Sequence, residues 1–503
     1  MSGIECFILP MADEQDLSCT LDSFSRSLSF DGVTVMPQCS FRATSTLKSV
    51  AHAVKSEYLL LYTAANVLEM GTMALDRILS VAEDTGAEML YADYYDTKPA
   101  EMSGIAEKKK HPLIDCQKGA LRDDFDFGPV LVFKASAFRR AVREMSVERE
   151  FGALYDLRLR MKKIVHIKEF LYAKEETDRR KSGEKQFDYV DPKNRKVQIE
   201  MEQICTEYLK SAGAYLEPVS EDELPVSEDE LPVDEGTDCV EGYPVAASVI
   251  IPVLNRVRTV GDAVRSALSQ KCMFPFNVIV VDNHSTDGTS ELLEKIAEEY
   301  NDGYFSSETG YYRPELVHIV PEKNDLGIGG CWNLAVFHPL CGRYAVQLDS
   351  DDLYSGDDVL EKIVDAFDSQ ECAMVVGTYE MTDFNLNPIP PGVIDHKEWT
   401  PENGHNNALR INGLGAPRAF DTDVLRSIGG FPNTSYGEDY AVGLRISREY
   451  RIGRIYDVLY KCRRWDGNSD AALSIEKLNA NNLYKDWIRT CELEARQNIV
   501  RNR

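Results

Sequence analysis

The sequence predicts an α/β protein with mostly parallel sheets, and three apolar runs carry that prediction. Residues 247–255, 278–283 and 344–352 are each apolar at first and end in polar side chains. Parallel strands end at a common sheet edge, where nucleotides bind in such folds. The third run ends in three aspartates within residues 349–352. Two carboxylates one residue apart can bind one divalent cation together with phosphate oxygens.

The first half of the chain repeats the pattern of the second half. The runs 58–67 and 344–353 are each followed by a helical pattern and then by another apolar run. The matching pairs are 58–67 with 344–353, 152–160 with 437–445, and 4–10 with the run that contains Pro252. This internal repeat predicts two domains of one α/β fold in tandem.

An acidic segment separates the two halves. Residues 217–241 contain eleven Asp or Glu and no Lys or Arg, and the heptad Val-Ser-Glu-Asp-Glu-Leu-Pro occurs twice in succession. Acidic residues and proline with few large apolar groups predict a disordered, extended linker. The expected domains are a degenerate domain at 1–180, a helical connector at 181–216, the acidic linker at 217–243, a catalytic domain at 244–470 and a C-terminal helical tail at 471–503. For the tail, closing over the catalytic domain and forming a homo-oligomer contact are both open.

Residues 246–466 resemble a family 2 glycosyltransferase with the GT-A fold, which is Rossmann-like. The resemblance depends on many short motifs in the right order, each weak alone. They are Ile251-Pro252 with Asn255, Val281-Asp282 with Ser285, Asp287 and Gly288, Asn324 with Gly327, Gly329 and Asn333, Asp349 to Asp352, Gly429-Gly430-Phe431, Gly437-Glu438-Asp439, and Arg463-Arg464-Trp465. Asn283 departs from the family pattern, which usually has a second carboxylate at that place.

The resemblance implies a role for each group of residues. The residues implied in donor binding are Pro252, Asn255, Asp282, Asn324, Gly327, Asp349, Asp352, Arg463 and Arg464. Asp351, with Asp349, is implied as the ligand of Mn²⁺ or Mg²⁺. Asp439 is implied as the base that accepts the acceptor proton, with Glu438 as its support or substitute, and Trp465 as a residue that stacks on the acceptor sugar.

Each of these residues also has a purely structural interpretation. Asp282 could cap a turn or a helix, and Asn324 with Gly327 could simply build a turn. Glu438 and Asp439 could stabilise a helix N-terminus through the macrodipole. The two arginines could be surface charges and the tryptophan a core residue.

The first half lacks the chemical groups of the second. On the repeat, Asp349, Asp351 and Asp352 correspond to Thr63, Ala65 and Asn66. Glu438 and Asp439 correspond to Ala153 and Leu154, Asp282 lies near Pro37, and residues 463–465 correspond to 175–177, which begin Glu-Glu. A site without carboxylates cannot hold a metal diphosphate, and glutamate in place of arginine repels phosphate. The first half is therefore predicted to be inactive.

Composition limits the partners and the compartment. The net charge of −27 argues against nucleic acid as a partner. Twelve cysteines without a Cys-x-x-Cys pair indicate reduced thiols. No signal peptide is apparent, and no apolar run approaches the roughly 20 residues of a membrane span. We expect a cytoplasmic protein, either free or peripheral to the inner face of the membrane.

The expected function is that of an inverting, metal-dependent glycosyltransferase. Its donor would be a nucleotide-diphosphate sugar, with UDP as the expected nucleotide, and its acceptor a growing cell-surface glycan or another cytosol-facing, lipid-linked molecule. Two alternatives remain: a two-site polysaccharide polymerase and a non-catalytic glycan-binding scaffold. A nucleotidyltransferase would need a Gly-rich phosphate loop after its first strand, and residues 252–256 are not one.

Overall fold

The chain forms two compact units in the computed structural model. The first unit combines Met1–Tyr215 with Leu473–Arg503, and the second is Leu216–Ala472. The structure describes residues 3–37, 40–97, 108–175, 194–218, 242–411, 414–468 and 473–502. The predicted disorder of the acidic linker falls almost entirely on residues 219–241, outside the described residues.

The first unit contains a mixed sheet flanked by helices. Its strands are β1 (Ile4–Ile8), β2 (Phe30–Val35), β3 (Tyr58–Tyr62), β4 (Leu68–Met70), β5 (Met89–Thr97), β6 (Lys108–His111), β7 (Val130–Lys134) and β8 (Ile164–Glu175). Its helices are α1 (Glu14–Phe24), α2 (Thr44–Ala53), α3 (Ala74–Thr85), α4 (Ala135–Glu144), α5 (Ala153–Leu159) and α6 (Arg195–Ala212). The strand order is β2-β1-β3-β7-β5-β8-β4, with β6 paired to β5.

The second unit begins with strands and helices in alternation. These are β9 (Ala247–Val253), α7 (Val260–Leu268), β10 (Phe276–Asp282), α8 (Thr289–Glu299), β11 (Tyr304–Ser306), β12 (Tyr311–Arg313), β13 (Glu315–Ile319), α9 (Ile328–Val336) and β14 (Tyr344–Gln347). It continues with β15 (Leu353–Tyr354), α10 (Val359–Gln370), β16 (Met374–Thr382), β17 (Pro388–Ile394), α11 (Gly404–Asn407), β18 (Arg418–Asp421), α12 (Thr422–Ser427), α13 (Glu438–Glu449) and β19 (Ile452–Arg463). The last helix of the chain, α14 (Ile475–Asn502), follows it.

The two sheets have the same internal arrangement. The order in the second is β13-β10-β9-β14-β18-β16-β19-β15, with β17 paired to β16. This repeats the first sheet strand for strand and adds β13 at one edge, and the parallel and antiparallel pairings also agree. The predicted α/β fold class with two like domains is confirmed.

The sheets are less parallel than the sequence suggests. In the second sheet β9, β10, β13 and β14 pair in parallel, whereas β18 is antiparallel to both of its neighbours. Parallel pairing needs a crossover connection, and helices supply one between each of the first strands. Later strands such as β16 and β17 pair antiparallel as neighbours in the chain, which apolar periodicity alone does not reveal.

The C-terminal helix packs within the first unit. Helix α14 is grouped with residues 1–215, although it follows the second unit in the chain. Asp486 on this helix is fully buried and lies 3.3 Å from Arg122 and 3.0 Å from Arg489. Gly119 leaves no room for a side chain, because a Cβ there would lie 2.2 Å from the Thr490 nitrogen. The helix is therefore packed into the unit through a buried ionic network.

Two further predictions concern the membrane and the thiols. Of the helices in the described part of the chain, none is long and apolar enough to cross a membrane. The ten cysteines within the described residues are all free thiols.

Candidate active site

The predicted binding edge forms where β9, β10 and β14 end together. The register pairs Val253 with Asp282, and β14 lies parallel on the other side of β9. Pro252 is the penultimate residue of β9. Asn255 adopts a positive φ of 54°, accepts a hydrogen bond from the Thr286 nitrogen at 2.8 Å and donates its own backbone N–H to the Ser285 hydroxyl at 2.8 Å. Asn255 thus connects the turns that follow two strands.

Asp282 is fully buried and satisfied by neighbouring groups. One carboxylate oxygen accepts from the Ser285 nitrogen at 3.0 Å and the other from the Ser290 hydroxyl. The His318 ring lies 3.6 Å away. These contacts match the turn-capping interpretation, and donor contact by Asp282 stays a prediction.

The glycines near Gly327 are explained by the protein's own backbone. A Cβ on Gly327 would lie 2.5 Å from the Thr434 carbonyl carbon, and one on Gly329 would lie 2.0 Å from the Pro432 oxygen. The Gly329 nitrogen also donates to the Thr434 oxygen at 2.9 Å. The close approach that requires glycine is therefore to residues 432–434, so it gives no support for donor contact. Asn324 is exposed in the same turn.

The aspartates after β14 lie in a poorly hydrated place. The Asp349 nitrogen donates to the Tyr460 hydroxyl at 3.0 Å, and the Gln347 amide donates to the Asp349 carboxylate at 3.0 Å. Asp352 is buried and accepts from the Arg463 nitrogen at 2.7 Å. Burial, and then repulsion from Asp351, raise the pKa of Asp352 well above its usual value, and burial also raises the pKa of Asp349.

The segment after β19 folds over Asp351. One Asp351 oxygen accepts from the Trp465 indole N–H at 3.1 Å and from the Asn468 amide at 3.0 Å. The Asn468 oxygen in turn accepts from the Trp465 nitrogen at 2.6 Å. Trp465 is thus attached to the predicted metal ligand, and its stacking on an acceptor sugar stays a prediction.

The acidic groups fit a metal that is shared with substrate rather than one enclosed by protein. Within the described residues, no group of three or more His, Cys, Asp or Glu is placed to hold a metal ion. Mg²⁺ in phosphate-transfer sites commonly has only one or two carboxylate ligands and takes its other ligands from phosphate and water. Asp349 and Asp351 match that donor set.

Cationic and aromatic side chains surround this edge. Arg463 is buried, donates to Asp262 at 3.2 Å and stacks over Phe384 at 5.1 Å. The Arg258 guanidinium lies 4.8 Å from the Phe384 ring and 5.0 Å from the Trp465 ring. Arg464 donates its backbone N–H to the Thr382 oxygen at 2.8 Å. Arg258 was missed by the sequence analysis, because it belongs to no motif.

Glu438 and Asp439 open α13 behind the cap residue Gly437. Burial, and then repulsion from Asp439, raise the pKa of Glu438 to about 8. The Glu438 Oε2 atom is buried and accepts no hydrogen bond from any described residue. Asp439 forms an ion pair of 2.6 Å with Arg418. A buried carboxyl with an unused oxygen next to a paired carboxylate is typical of an acid-base site.

Arg418, at the start of β18, is the main site residue that sequence reasoning missed. Besides Asp439, it contacts Gln347, whose side-chain oxygen accepts from Arg418 Nη1 at 2.9 Å. The sequence held one weak signal, an arginine directly before the apolar pair Ala419-Phe420.

Curated relatives cover only parts of the chain. An uncharacterized glycosyltransferase of Rickettsia conorii is 31% identical over 112 residues, 22% of this chain and 16% of that protein. The putative teichuronic acid biosynthesis glycosyltransferase TuaG of Bacillus subtilis is 30% identical over 162 residues, 32% of this chain and 58% of that protein. The chain thus spans less than two thirds of the length of either relative.

Solved structures give more distant matches. Residues 1–349 of S. aureus TarS, solved in complex with UDP-GlcNAc, match with a TM-score of 0.37 and 22% identity, over 50% of this chain and 72% of that one. The mannosyltransferase PcManGT of Pyrobaculum calidifontis, in complex with GDP-Man and Mn²⁺, matches with a TM-score of 0.33 and 17% identity, over 50% of this chain and 74% of that one.

The family model gives the assignment for the second unit. The model of glycosyl transferase family 2 matches residues 248–420, the stretch that runs from β9 to β18 and contains the aspartates of the strand edge. The predicted family is therefore confirmed for this part of the chain: residues 248–420 belong to a family 2 glycosyltransferase domain.

Proposed function

We propose that the second unit is an inverting glycosyltransferase that uses a nucleotide-diphosphate sugar. The observation that carries the proposal is that carboxylates from two distant parts of the chain are joined through two side chains. Gln347 donates to the Asp349 carboxylate at 3.0 Å and accepts from Arg418 at 2.9 Å. Arg418 in turn pairs with Asp439 at 2.6 Å, so the strand-edge group and the α13 group lie close enough to act on one substrate.

The strand-edge group would bind the donor. Asp351 and Asp349 would hold Mn²⁺ or Mg²⁺, which neutralises charge on the diphosphate when bound. Arg463 and Arg464 would stabilise the diphosphate as it leaves, because guanidinium groups pair well with phosphate oxygens. Arg258 lies beside the same segment and adds a third positive charge.

The α13 group would act on the acceptor. Inversion by direct displacement needs a base on the face of the sugar opposite the departing diphosphate. Asp439 would take the acceptor proton. Glu438, with its pKa near 8, would be largely protonated at neutral pH and would donate a hydrogen bond to donor or acceptor.

The relatives suggest the kind of product. TuaG is named for teichuronic acid biosynthesis, so we propose a cell-surface polysaccharide or its lipid-linked precursor as the acceptor. UDP is the proposed nucleotide. A cytoplasmic location, peripheral to the inner face of the membrane, would bring the enzyme to such an acceptor.

A nucleotide-sugar panel tests the proposal. The full chain would be incubated with UDP-, GDP- and dTDP-sugars in Mn²⁺, in Mg²⁺ or in chelator, and release of nucleoside diphosphate measured. We expect metal-dependent release from one nucleotide class, strongest with UDP. For the preferred donor, the anomeric configuration of the product would be read by NMR with a range of glycan acceptors. No release from any donor would contradict the transferase proposal, and retained configuration would contradict the inverting mechanism.

A further inference from the structure

A continuous chain of hydrogen bonds joins the donor side of the site to the acceptor side. Gln347 donates to the Asp349 carboxylate at 3.0 Å and accepts from Arg418 Nη1 at 2.9 Å. Arg418 Nη2 then pairs with Asp439 at 2.6 Å. Two intervening side chains thus connect Asp349, after β14, to Asp439, at the start of α13.

The connecting residues are held rigidly. The Gln347 oxygen also accepts from the Arg418 backbone nitrogen at 3.2 Å, and Arg418 Nε donates to the Leu414 oxygen. Gln347 is buried, and the Arg418 side chain is 17% exposed. A planar guanidinium with three directed partners fixes the distance between those partners better than a single flexible contact does.

The first unit shows that the fold does not need this chain of polar groups. In its sheet, Leu61 of β3 faces Leu131 of β7. Aligning Tyr58 with Tyr344 places these two leucines at the positions of Gln347 and Arg418. Leu154, which follows the first residue of α5, is at the position of Asp439. Three leucines therefore occupy the places of Gln347, Arg418 and Asp439, so packing alone does not require the polar set.

We propose that Gln347 and Arg418 are positioning residues that hold the donor-side carboxylate Asp349 and the acceptor-side carboxylate Asp439 in a fixed geometry. The inference rests on the proposed function and adds two residues to it. In a direct displacement, the nucleophile and the leaving group must lie on opposite faces of one carbon, and small misplacements are costly. A rigid link between the two carboxylates keeps that alignment.

The test uses leucine substitutions, because the first sheet shows that leucine suits these positions. Gln347→Leu, Arg418→Leu and the double variant would be compared with the wild type. Arg418→Lys keeps the charge, and Arg426→Leu is the matched control. Arg426 also donates to a backbone oxygen, that of Val336 at 3.0 and 2.8 Å, but contacts no site carboxylate. Steady-state kinetics of transfer and of donor hydrolysis, with melting temperatures, would be measured for each.

The inference predicts different kinetic effects at the two ends. Arg418→Leu should lower kcat of transfer by about 10²-fold with donor KM changed by less than about threefold, because it releases the acceptor-side carboxylate. Gln347→Leu should mainly raise donor KM. The loss of kcat/KM in the double variant should be smaller than the product of the two single losses, because both substitutions break the same link. The kcat of Arg418→Lys should be about tenfold higher than that of Arg418→Leu.

Three results would overturn the inference while leaving the proposed function intact. In the first, the wild type is active and Arg418→Leu has the same kinetic constants as Arg426→Leu. In the second, the loss of kcat/KM in the double variant equals the product of the two single losses. In the third, the loss of activity of each variant follows its melting temperature alone. A wild type that turns over no nucleotide sugar would instead overturn the proposed function, and the inference with it.

Discussion

The two sheets share strand order and strand direction but differ in the residues that follow their strands. After β14 the second unit has Asp349, Asp351 and Asp352, whereas after β3 the first has Thr63, Ala65 and Asn66. Both α5 and α13 begin directly after a glycine, yet only α13 starts with carboxylates. The comparison shows that the same architecture occurs without the charges, so the charges of the second unit need another explanation, and chemistry is the one we propose.

One contact is preserved between the sheets with its polarity reversed. Asp352 accepts from the Arg463 nitrogen, whereas Asn66 donates to the Glu175 oxygen. The strand registers place Arg463 and Glu175 at the same position. Arg463 is paired with Thr382, the last residue of β16, and Glu175 is paired with Thr97, the last residue of the equivalent strand β5. Here a neutral amide makes the same connection as an acid, so this contact is structural. A common origin of the two halves stays a hypothesis.

The largest effect should come from Asp351→Asn. The variant keeps the shape of the side chain and loses a charged metal ligand, so we expect nearly all donor turnover and its metal dependence to disappear. Thr63→Ala, at the position equivalent to Asp349, is the control and should leave turnover unchanged. Full activity of the asparagine variant in chelator would contradict the assignment.

The same variant also tests whether the first unit is inactive. Calorimetry of full-length Asp351→Asn against metal and nucleotide sugars should show at most one weakened binding event, that of the second unit, since the first unit lacks the carboxylates. A second saturable binding event would reveal another site and would favour the polymerase alternative.

The next effect concerns the base. Asp439→Asn cannot accept a proton, so we expect kcat to fall by about 10²–10⁴-fold with donor binding largely retained. Glu438→Gln, which keeps a hydrogen-bond donor, should be affected less. If glutamine at 438 abolishes transfer and asparagine at 439 does not, the two roles must be exchanged.

A smaller effect is expected from removing α14. A chain ending at residue 472 lacks Asp486, so buried Arg122 loses one of its two carboxylate partners, the one at 3.3 Å, and the first unit should melt at a lower temperature. Donor hydrolysis should persist, because the helix belongs to the first unit. Loss of hydrolysis at temperatures where the second unit remains folded would contradict this assignment.

The smallest expected effect is on stability as a function of pH. The folded pKa of Glu438, about 8, lies above the ordinary value of 4.5, so the folded state holds an extra proton between those values. Stability should therefore fall as pH rises from about 4.5 to 8. Glu438→Gln should flatten this fall without removing it, because Asp349 and Asp352 also have raised pKa values. The free energy of unfolding would be measured by denaturant at several pH values. If the prediction is wrong, its dependence on pH will be the same in Glu438→Gln as in the wild type.

Local pattern predicted much of this molecule. Apolar periodicity located the strands that end at Asp282 and near Asp349. The internal repeat matched Glu175 with Arg463, and the strand registers give the same match. Local sequence pattern could not predict Arg418, because the partners Gln347 and Asp439 lie 71 residues before it and 21 after it along the chain. It could not assign α14 to the first unit either, since the buried charges that hold the helix there are indistinguishable in sequence from surface charges.

The division of the first unit into two segments has a consequence for the order of synthesis. Helix α14 emerges only after the whole second unit, which at roughly 5–20 residues per second takes on the order of tens of seconds. During that interval Arg122 and its neighbours lack the carboxylate of Asp486 that pairs with them in the finished fold. The second unit, continuous in sequence, can fold at once. The half with the proposed chemistry would thus be completed before the half that precedes it in the chain.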